Sequence, residues 1–569
     1  MSRGGTSYDI PPLLRHFDKW DSELLNDADR DFLLDGILNG FSLIDPTVSI
    51  PDIGSAHVPN SFSVRNPDIK PRVEDQIREE IECGNYIIPD TAPRIVSALS
   101  IAPKPDNGIR LIHDLSRPIG SSLNTYASKD PCHYNSVRDA LNLIQPGWFM
   151  AKVDLRAAYR SVHIPRNEYT LTGLSWTFAG DKQATILCDT KLPFGARKSP
   201  AIFNRITQAV TRMMSRRGHA TIAYLDDFFV CASNFESCVQ ALNTLITLLR
   251  QLGFQMNWKK VVDPCQSLCF LGIIINTVDG TLALHRDKQS ELLRLIQTFI
   301  HKTRASRRQL ESLAGKLCWA SQVTPWGRTH TRSVFTLLSP LHEPHHKVRL
   351  KNILSDLEWW SFWLENGTNL RRIWQPSQQL QVVTDACPLA GGGFCQGDWF
   401  FTHWPSDSPG LMPQHINTKE LAAVVTAAYR WRSRWAGNHV TVLTDNSVTA
   451  AVINNGTAAN ITCLYLLKRL AHLALQYGFS IVAQHIPGRT NVLADCISRL
   501  HQTGMLHKLS SMLDSTLHPS QLTKNMSRES WCFLFQESTT KHWSNWTKKS
   551  HVGELRCSRT QPSQPIPSI

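Results

Sequence analysis

No stretch of this 569-residue chain comes near the roughly 18 consecutive apolar residues that a membrane-spanning helix needs. The first residues, Met1-Ser2-Arg3-Gly4-Gly5, lead into polar sequence without the apolar core of a secretory signal. Cysteine is present 14 times but scattered singly, in a chain too long for a disulfide scaffold. The tightest pair, Cys265-x3-Cys269, has no second Cys/His pair at zinc-finger spacing nearby. These absences point to an intracellular protein, cytoplasmic or nuclear, with reduced thiols, no zinc and no membrane partner. Acidic residues are also in short supply. The 47 Asp and Glu face 60 Lys and Arg, a formal charge of +13 that favours a polyanionic partner over an acidic small molecule.

What is present is a globular composition, 42% hydrophobic and 19% charged, in a chain long enough for three or four domains. Its 17 Trp exceed the usual share, and aromatics among Lys and Arg suit base stacking, although most belong in cores. Two short amphipathic pieces, Pro12–Asp21 and Asp27–Gly40, precede an acidic helical pattern over Arg72–Cys83.

The most informative stretch is Tyr224-Leu225-Asp226-Asp227-Phe228-Phe229-Val230. Two acids between apolar β-branched and aromatic runs read as the tip of a hairpin. An ordinary Asp-Asp turn is the bland alternative. Adjacent like charges resist burial unless a hard divalent cation neutralises them.

Three further stretches stand in order before it. Val96–Asp114 alternates around Asp106-Asn107-Gly108 and reads as a hairpin carrying Lys104 and Arg110 on opposite arms. Those cations are either edge-strand guards or a clamp on phosphates. Trp148–Asp154 is a strand ending in an acid, followed by a turn into Tyr159. Leu192-Pro193-Phe194-Gly195 opens into a helix running to about Arg217. Beyond the acidic hairpin, a helix over Phe235–Leu252 is expected. A strand pair follows, Phe270–Ile275 and Thr281–Leu284, turning at Asp279-Gly280. Residues 285–375 read as helical and basic, and Gln375–Gln379 as a linker.

A second α/β pattern then begins. Leu380–Thr384 and His439–Thr444 read as strands ending at Asp385 and Asp445, while Glu420 and Asp495 lie on helices. Gly391-Gly392-Gly393 and Gly397-Asp398 read as hairpin turns. Four isolated acids are ordinarily surface residues; here two of them end apolar strands.

Taken in order, the first set resembles a reverse transcriptase. Lys152-Val153-Asp154 with Tyr159 is similar to motif A, and Leu192–Phe203 to motif B. Tyr224-Leu225-Asp226-Asp227 carries the motif C signature, and Phe270-Leu271-Gly272 is similar to the primer grip. The resemblance implies Asp154 and Asp226, with Asp227 beside them, as holders of two Mg²⁺, with Mn²⁺ as a substitute. It implies Lys104 and Arg110 as grips on the incoming dNTP and Tyr159 as a steric gate against the ribose 2′-OH; a core aromatic is the alternative. Phe194 stands where some relatives carry Gln. Lys260 is similar to the motif D lysine, with Lys259 leaving the register open by one.

The second set resembles ribonuclease H, whose two Mg²⁺ would be held by Asp385, Glu420, Asp445 and Asp495. His485–Asp495 is similar to the end of that domain in retroelements, with Arg489 where some relatives place a histidine. The implied fold is an α/β multidomain chain: an α+β palm, fingers and thumb, then a ribonuclease H-like α/β domain. The implied division is an extension over 1–70, fingers and palm over 71–285, and a helical thumb and connection over 286–375. A ribonuclease H-like domain over 376–502 and a basic, largely disordered tail over 503–569 complete it. The implied partners are an RNA template, a DNA primer, the RNA–DNA hybrid and dNTPs. Arg110–Ser116 and Ser306–Leu317 are most similar to DIRS-type retrotransposons. The competing reading is a decayed or co-opted copy that only binds nucleic acid.

Overall fold

The computed structural model describes residues 10–48, 50, 56–103, 108–128, 131–366, 370–374 and 379–513. Lys104, most of the expected linker and the tail from residue 514 onward lie outside the described residues. The chain is a mixed α/β multidomain protein, divided into two compact units, Met1–Thr281 and Leu282–Ile569. No described helix is long and apolar enough to cross a membrane.

In the first unit, helices α1 (Phe17–Glu23) and α2 (Arg30–Asn39) precede a hairpin of β1 (Ala98–Pro103) and β2 (Ile109–Asp114). Then come β3 (Phe149–Asp154), α3 (Ser199–Arg216), β4 (Ala220–Tyr224), β5 (Asp227–Ala232), α4 (Phe235–Gln251) and β6 (Val262–Cys265). A four-stranded antiparallel sheet runs in the order β6-β3-β5-β4.

The Phe228-Phe229-Val230 run is continuous rather than alternating because both faces of β5 are covered. Phe228 and Val230 join the core with residues of α3 and α4, while Phe229 meets Phe270, ring centres 5.2 Å apart. Residues 13–43 share that same core: Trp20, Leu24, Leu33, Ile37 and Phe41 are all buried in it. Trp20 Nε1 donates to the Leu252 carbonyl at 3.0 Å, and Asp27 accepts from Arg212 at 2.6 and 2.9 Å.

The expected strand Phe270–Ile275 is in fact two strands, β7 (Ser267–Phe270) and β8 (Ile273–Asn276). Leu271 and Gly272, with φ of +49° and +80°, turn the chain between them.

The second unit opens with helices α5 (Arg286–Ile300), α6 (Arg307–Ala320), α7 (Gly327–Leu338) and α8 (Leu354–Asn366). A five-stranded sheet follows, built from β9 (Gln379–Ala386), β10 (Ala390–Cys395), β11 (Asp398–His403), β12 (His439–Thr444) and β13 (Ser480–His485). Its order is β11-β10-β9-β12-β13, antiparallel through β9 and then parallel. Helices α9 (Ile416–Arg430), α10 (Ser447–Asn455), α11 (Ile461–Tyr477), α12 (Val492–Ser498) and α13 (Met505–Leu513) complete it.

The triple glycine is not a turn. Gly391, Gly392 and Gly393 lie inside β10, and a Cβ there would stand 2.4 Å from Trp404, 2.4 Å from Ile497 and 2.8 Å from Phe400. Side chains from both faces press onto the strand, so only hydrogen fits. Within this unit a buried group joins helices to sheet domain. Asp356 on α8 accepts from Ser333 on α7 at 2.5 Å and pairs with Lys468 on α11 at 2.7 Å, while His330 on α7 lies 2.9 Å away.

Candidate functional site

Strand register assembles the first acidic group. Asp227 opens β5 directly opposite Asp154 at the end of β3, and Asp226 occupies the turn between β4 and β5. The Leu155 N–H donates to the Asp226 carbonyl at 3.0 Å, locking the turn onto β3. Leu225 in that turn and Ala157 just past Asp154 both have positive φ, +52° and +48°. Such conformations cost non-glycine residues about 1–3 kcal/mol and collect where function demands an unusual backbone.

The carboxylates differ in company. Asp154 is buried; its Oδ2 lies 3.1 Å from Lys260 Nζ and its Oδ1 accepts from Asn257 Nδ2 at 3.2 Å. Lys260, not Lys259, therefore faces the acid. Asp227 Oδ1 is buried without a hydrogen-bond partner, its nearest cation being Lys152 Nζ at 3.8 Å. Burial pushes the Asp227 carboxyl up to about 6, and Asp226 is raised by burial as well, with Asp154 adding repulsion. Three hard oxygen donors with an unpartnered buried oxygen are a set that Mg²⁺ or Mn²⁺ would satisfy.

Tyr159 is buried, stacked on Phe194 at 4.9 Å and tilted against Phe203 at 5.4 Å. Burial raises its hydroxyl pKa, and nearby charges, Asp226 among them, add to that. Arg110 is exposed, with its guanidinium 5.2 Å from the Phe194 ring. Tyr159 and Arg110 thus both meet the Phe194 ring. Lys104 lies outside the described residues.

The loop that presents Phe194 is stitched from several sides. The His113 N–H donates to the Phe194 carbonyl at 2.8 Å, and Asn124 Nδ2 donates to the Gly195 carbonyl at 2.9 Å. Gly195 has φ of +132°, and a Cβ there would lie 1.8 Å from the His113 carbonyl. Gly195→Ala is expected to displace the loop, costing about 1–3 kcal/mol from backbone strain alone. The measurements are thermal melting, which should drop, and primer extension, which should fall with it.

The second acidic group is tighter. Among the described residues, one set of three or more candidate ligands has its atoms within 4.8 Å of one another: Asp385, Glu420 and Asp445. Asp385 lies in β9 and Asp445 follows β12, at the carboxyl ends of neighbouring parallel strands; Glu420 comes from α9. Glu420 Oε1 accepts from the Ala386 N–H at 3.1 Å, and its Oε2 is buried without a partner. Burial, then the Asp385 charge, pushes Glu420 up to about 9. Asp385 is pushed up to about 6 by burial, against the Ser498 hydroxyl that donates to it at 2.5 Å. The buried triad could hold a metal ion.

Asp495 is not part of that set. It is half-buried on α12, its Oδ1 accepting from Arg499 Nε at 2.6 Å, although its charge still raises Asp385. A Cβ on Gly488 would stand 3.1 Å from Asp445 Oδ2, so the Pro487–Thr490 loop closes against that acid. His485 Nε2 lies 3.1 Å from the Asp445 carbonyl oxygen.

Several site residues escaped the sequence reading: Lys152, Asn124, Asn257 and Ser498. Two had a usable signal. Lys152 stands two residues before Asp154 in a strand, hence on the same face, and Ser498 stands three after Asp495 on a helix. Asn124 arrives from the single 3₁₀ turn Leu123–Thr125 and Asn257 from a loop, both too short for periodicity to show.

Residues 94–275 match the family model for reverse transcriptase (RNA-dependent DNA polymerase). This segment is a reverse transcriptase domain. The chain is 24% identical over 473 residues to a retrovirus-related Pol polyprotein from transposon opus of Drosophila melanogaster, covering 79% of this chain and 43% of that one. It is 24% identical over 332 residues to the Pro-Pol polyprotein of Simian foamy virus type 1, covering 57% of this chain and 26% of that one. The chain thus spans less than half the length of these curated relatives. Among solved structures, the foamy viral protease-reverse transcriptase in complex with double-stranded DNA aligns with a TM-score of 0.49 at 15% identity, over 85% of this chain and 99% of that one. Its complex with an RNA/DNA hybrid aligns at 0.48 and 16%, over 86% and 65%.

Proposed function

We propose that the reverse transcriptase domain is an active RNA-directed DNA polymerase and that the second unit is a ribonuclease H, a retroelement enzyme of the DIRS type. The observation that carries this reading is the pair of separate carboxylate groups, Asp154/Asp226/Asp227 and Asp385/Glu420/Asp445, each with a buried oxygen that has no hydrogen-bond partner. Each would hold two Mg²⁺ ions, which when bound supply charge neutralisation of the attacking and leaving oxygens. Asp495 joins the second group as the fourth ligand once released from Arg499. The substrates are an RNA template with a DNA primer, dNTPs, and the resulting RNA–DNA hybrid.

The chain's own residues supply position. Tyr159, held between Phe194 and Phe203, presents an immobile ring edge to the sugar of the incoming nucleotide. Arg110, with Lys104, grips its triphosphate; the guanidinium fork suits paired phosphate oxygens. Lys260, already at Asp154, offers a proton to the departing pyrophosphate. In the second unit, Ser498 orients Asp385 and the Ala386 N–H orients Glu420.

Primer extension on poly(rA)/oligo(dT) with Mg²⁺, run beside cleavage of a labelled hybrid, tests both activities. No extension by the wild-type chain would leave the competing reading, a binding protein without polymerase activity. Tyr159→Ala is expected to raise ribonucleotide incorporation on the order of 10- to 100-fold, the scale on which a pocket senses one added group. Tyr159→Phe, which keeps the packing, should discriminate like wild type. Unchanged rNTP selection by Tyr159→Ala would place the gate elsewhere.

A further inference from the structure

The second unit carries a basic feature outside both acid groups. Arg304–Ser306 and Lys347–Arg349 form a two-stranded antiparallel ribbon beside the start of α6. Register places Arg304 opposite Arg349, Ala305 opposite Val348, and Ser306 opposite Lys347. Ala305 is 1% exposed and points into the protein, so strand alternation turns Arg304, Arg349 and Lys347 outward together. All three are exposed, as are the neighbouring Arg308 and Lys351.

Like charges directly opposite one another destabilise a strand pair. Nothing local offsets the Arg304–Arg349 repulsion. The adjoining ion pair, Arg307–Glu311, leaves the ribbon's three cations out, and among the described residues these have no ion pair. From His301 to Lys351 the chain has ten Lys and Arg against two acids, Glu311 and Glu343. A surface that tolerates facing arginines and keeps acids away is built for an external polyanion.

We propose that this ribbon grips the phosphate backbone of a nucleic-acid duplex. The proposal deepens the reading above and rests on it for the class of polyanion. Cross-strand neighbours lie about 5 Å apart and alternate residues along a strand about 6.6 Å apart. The three side chains therefore leave the ribbon from a regular grid, suited to consecutive phosphates of a stiff duplex. The outward face of the ribbon has no aromatic ring, whereas surfaces for single strands combine cations with stacking platforms. Binding here is electrostatic and independent of sequence.

The test uses the full chain, a labelled RNA–DNA hybrid and a labelled single strand, with affinity followed by fluorescence anisotropy across a salt series. The triple variant Arg304→Gln/Lys347→Gln/Arg349→Gln is expected to flatten the slope of log affinity against log salt by about 2–3 for the hybrid, roughly 0.9 per lost phosphate contact. The charge-keeping pair Arg304→Lys/Arg349→Lys should retain the wild-type slope. Melting of the triple variant should not drop, since repulsion is relieved. If it does drop, the single changes Arg304→Gln and Lys347→Gln carry the test, each expected to flatten the slope by about 1. Unchanged affinity and slope would overturn the proposal and leave an acidic protein as the ribbon's partner. A larger loss for the single strand than for the hybrid would overturn it too. Extension by wild type at saturating hybrid is scored separately, so failure of the polymerase reading and failure of the ribbon are told apart.

Discussion

Asp226→Asn is expected to stop DNA synthesis while the hybrid is still bound and its RNA strand still cut. The backbone of Asp226 is fixed by the Leu155 N–H donating to its carbonyl, a contact the side chain does not share. Asn has nearly the same shape, so the turn survives and only the charge is lost. Weakening one ligand of a charge-neutralising metal pair costs several kcal/mol of barrier, at least about a hundredfold in rate. Asp154→Asn should behave alike. Here the loss also frees Lys260, whose ammonium lies 3.1 Å from that carboxylate. Asp226→Asn should not lower the melting temperature in chelator, because burial already raises that carboxyl. Robust extension by Asp226→Asn would remove the turn from the active site.

Asp385→Asn is expected to do the reverse: RNA cleavage in a hybrid falls at least about a hundredfold while primer extension persists. The second acid group lies in a separate compact unit, so the first keeps its ligands. Survival of RNA cleavage in Asp385→Asn would dismiss the triad; loss of cleavage in Asp226→Asn as well would show one shared site.

The same triad makes a prediction that needs no turnover. Glu420 is held at about 9, well above its ordinary 4.5. Between those values the folded chain binds a proton that the unfolded chain has released. Stability from this group is therefore present below about pH 4.5 and declines as pH rises towards 9. In chelator at pH 8, Glu420→Gln should melt higher than wild type. Added Mg²⁺ or Mn²⁺, which favours the ionised triad, should raise the melting temperature of wild type more than that of Glu420→Gln. A Glu420→Gln chain that melts lower in chelator, or an equal metal response in both, would refute the buried-charge account.

The sequence by itself determined the local elements whose signal is periodicity or turn chemistry. Asp154 at a strand end, Asp226-Asp227 at a hairpin tip, and Asp385 and Asp445 at the ends of parallel strands all lie where alternation and apolar runs put them. Those signals are short-range, and the apolar residues that produce them are also the ones that bury.

Tertiary structure alone decided the rest. Gly391–Gly393 read as a turn because glycine permits turns, yet Trp404, Ile497 and Phe400 press on them inside a strand, and contacts from distant positions leave no local mark. Residues 13–43 entered the core of the first unit through Trp20, Ile37 and Phe41, although their own sequence showed only two amphipathic pieces. The choice of Lys260 over Lys259, and the pairing of Asp495 with Arg499 apart from the triad, depended on loop geometry and rotamers. The facing arginines of the ribbon were invisible for the same reason. Arg304 and Arg349 are 45 positions apart in the chain, and only strand register brings them together.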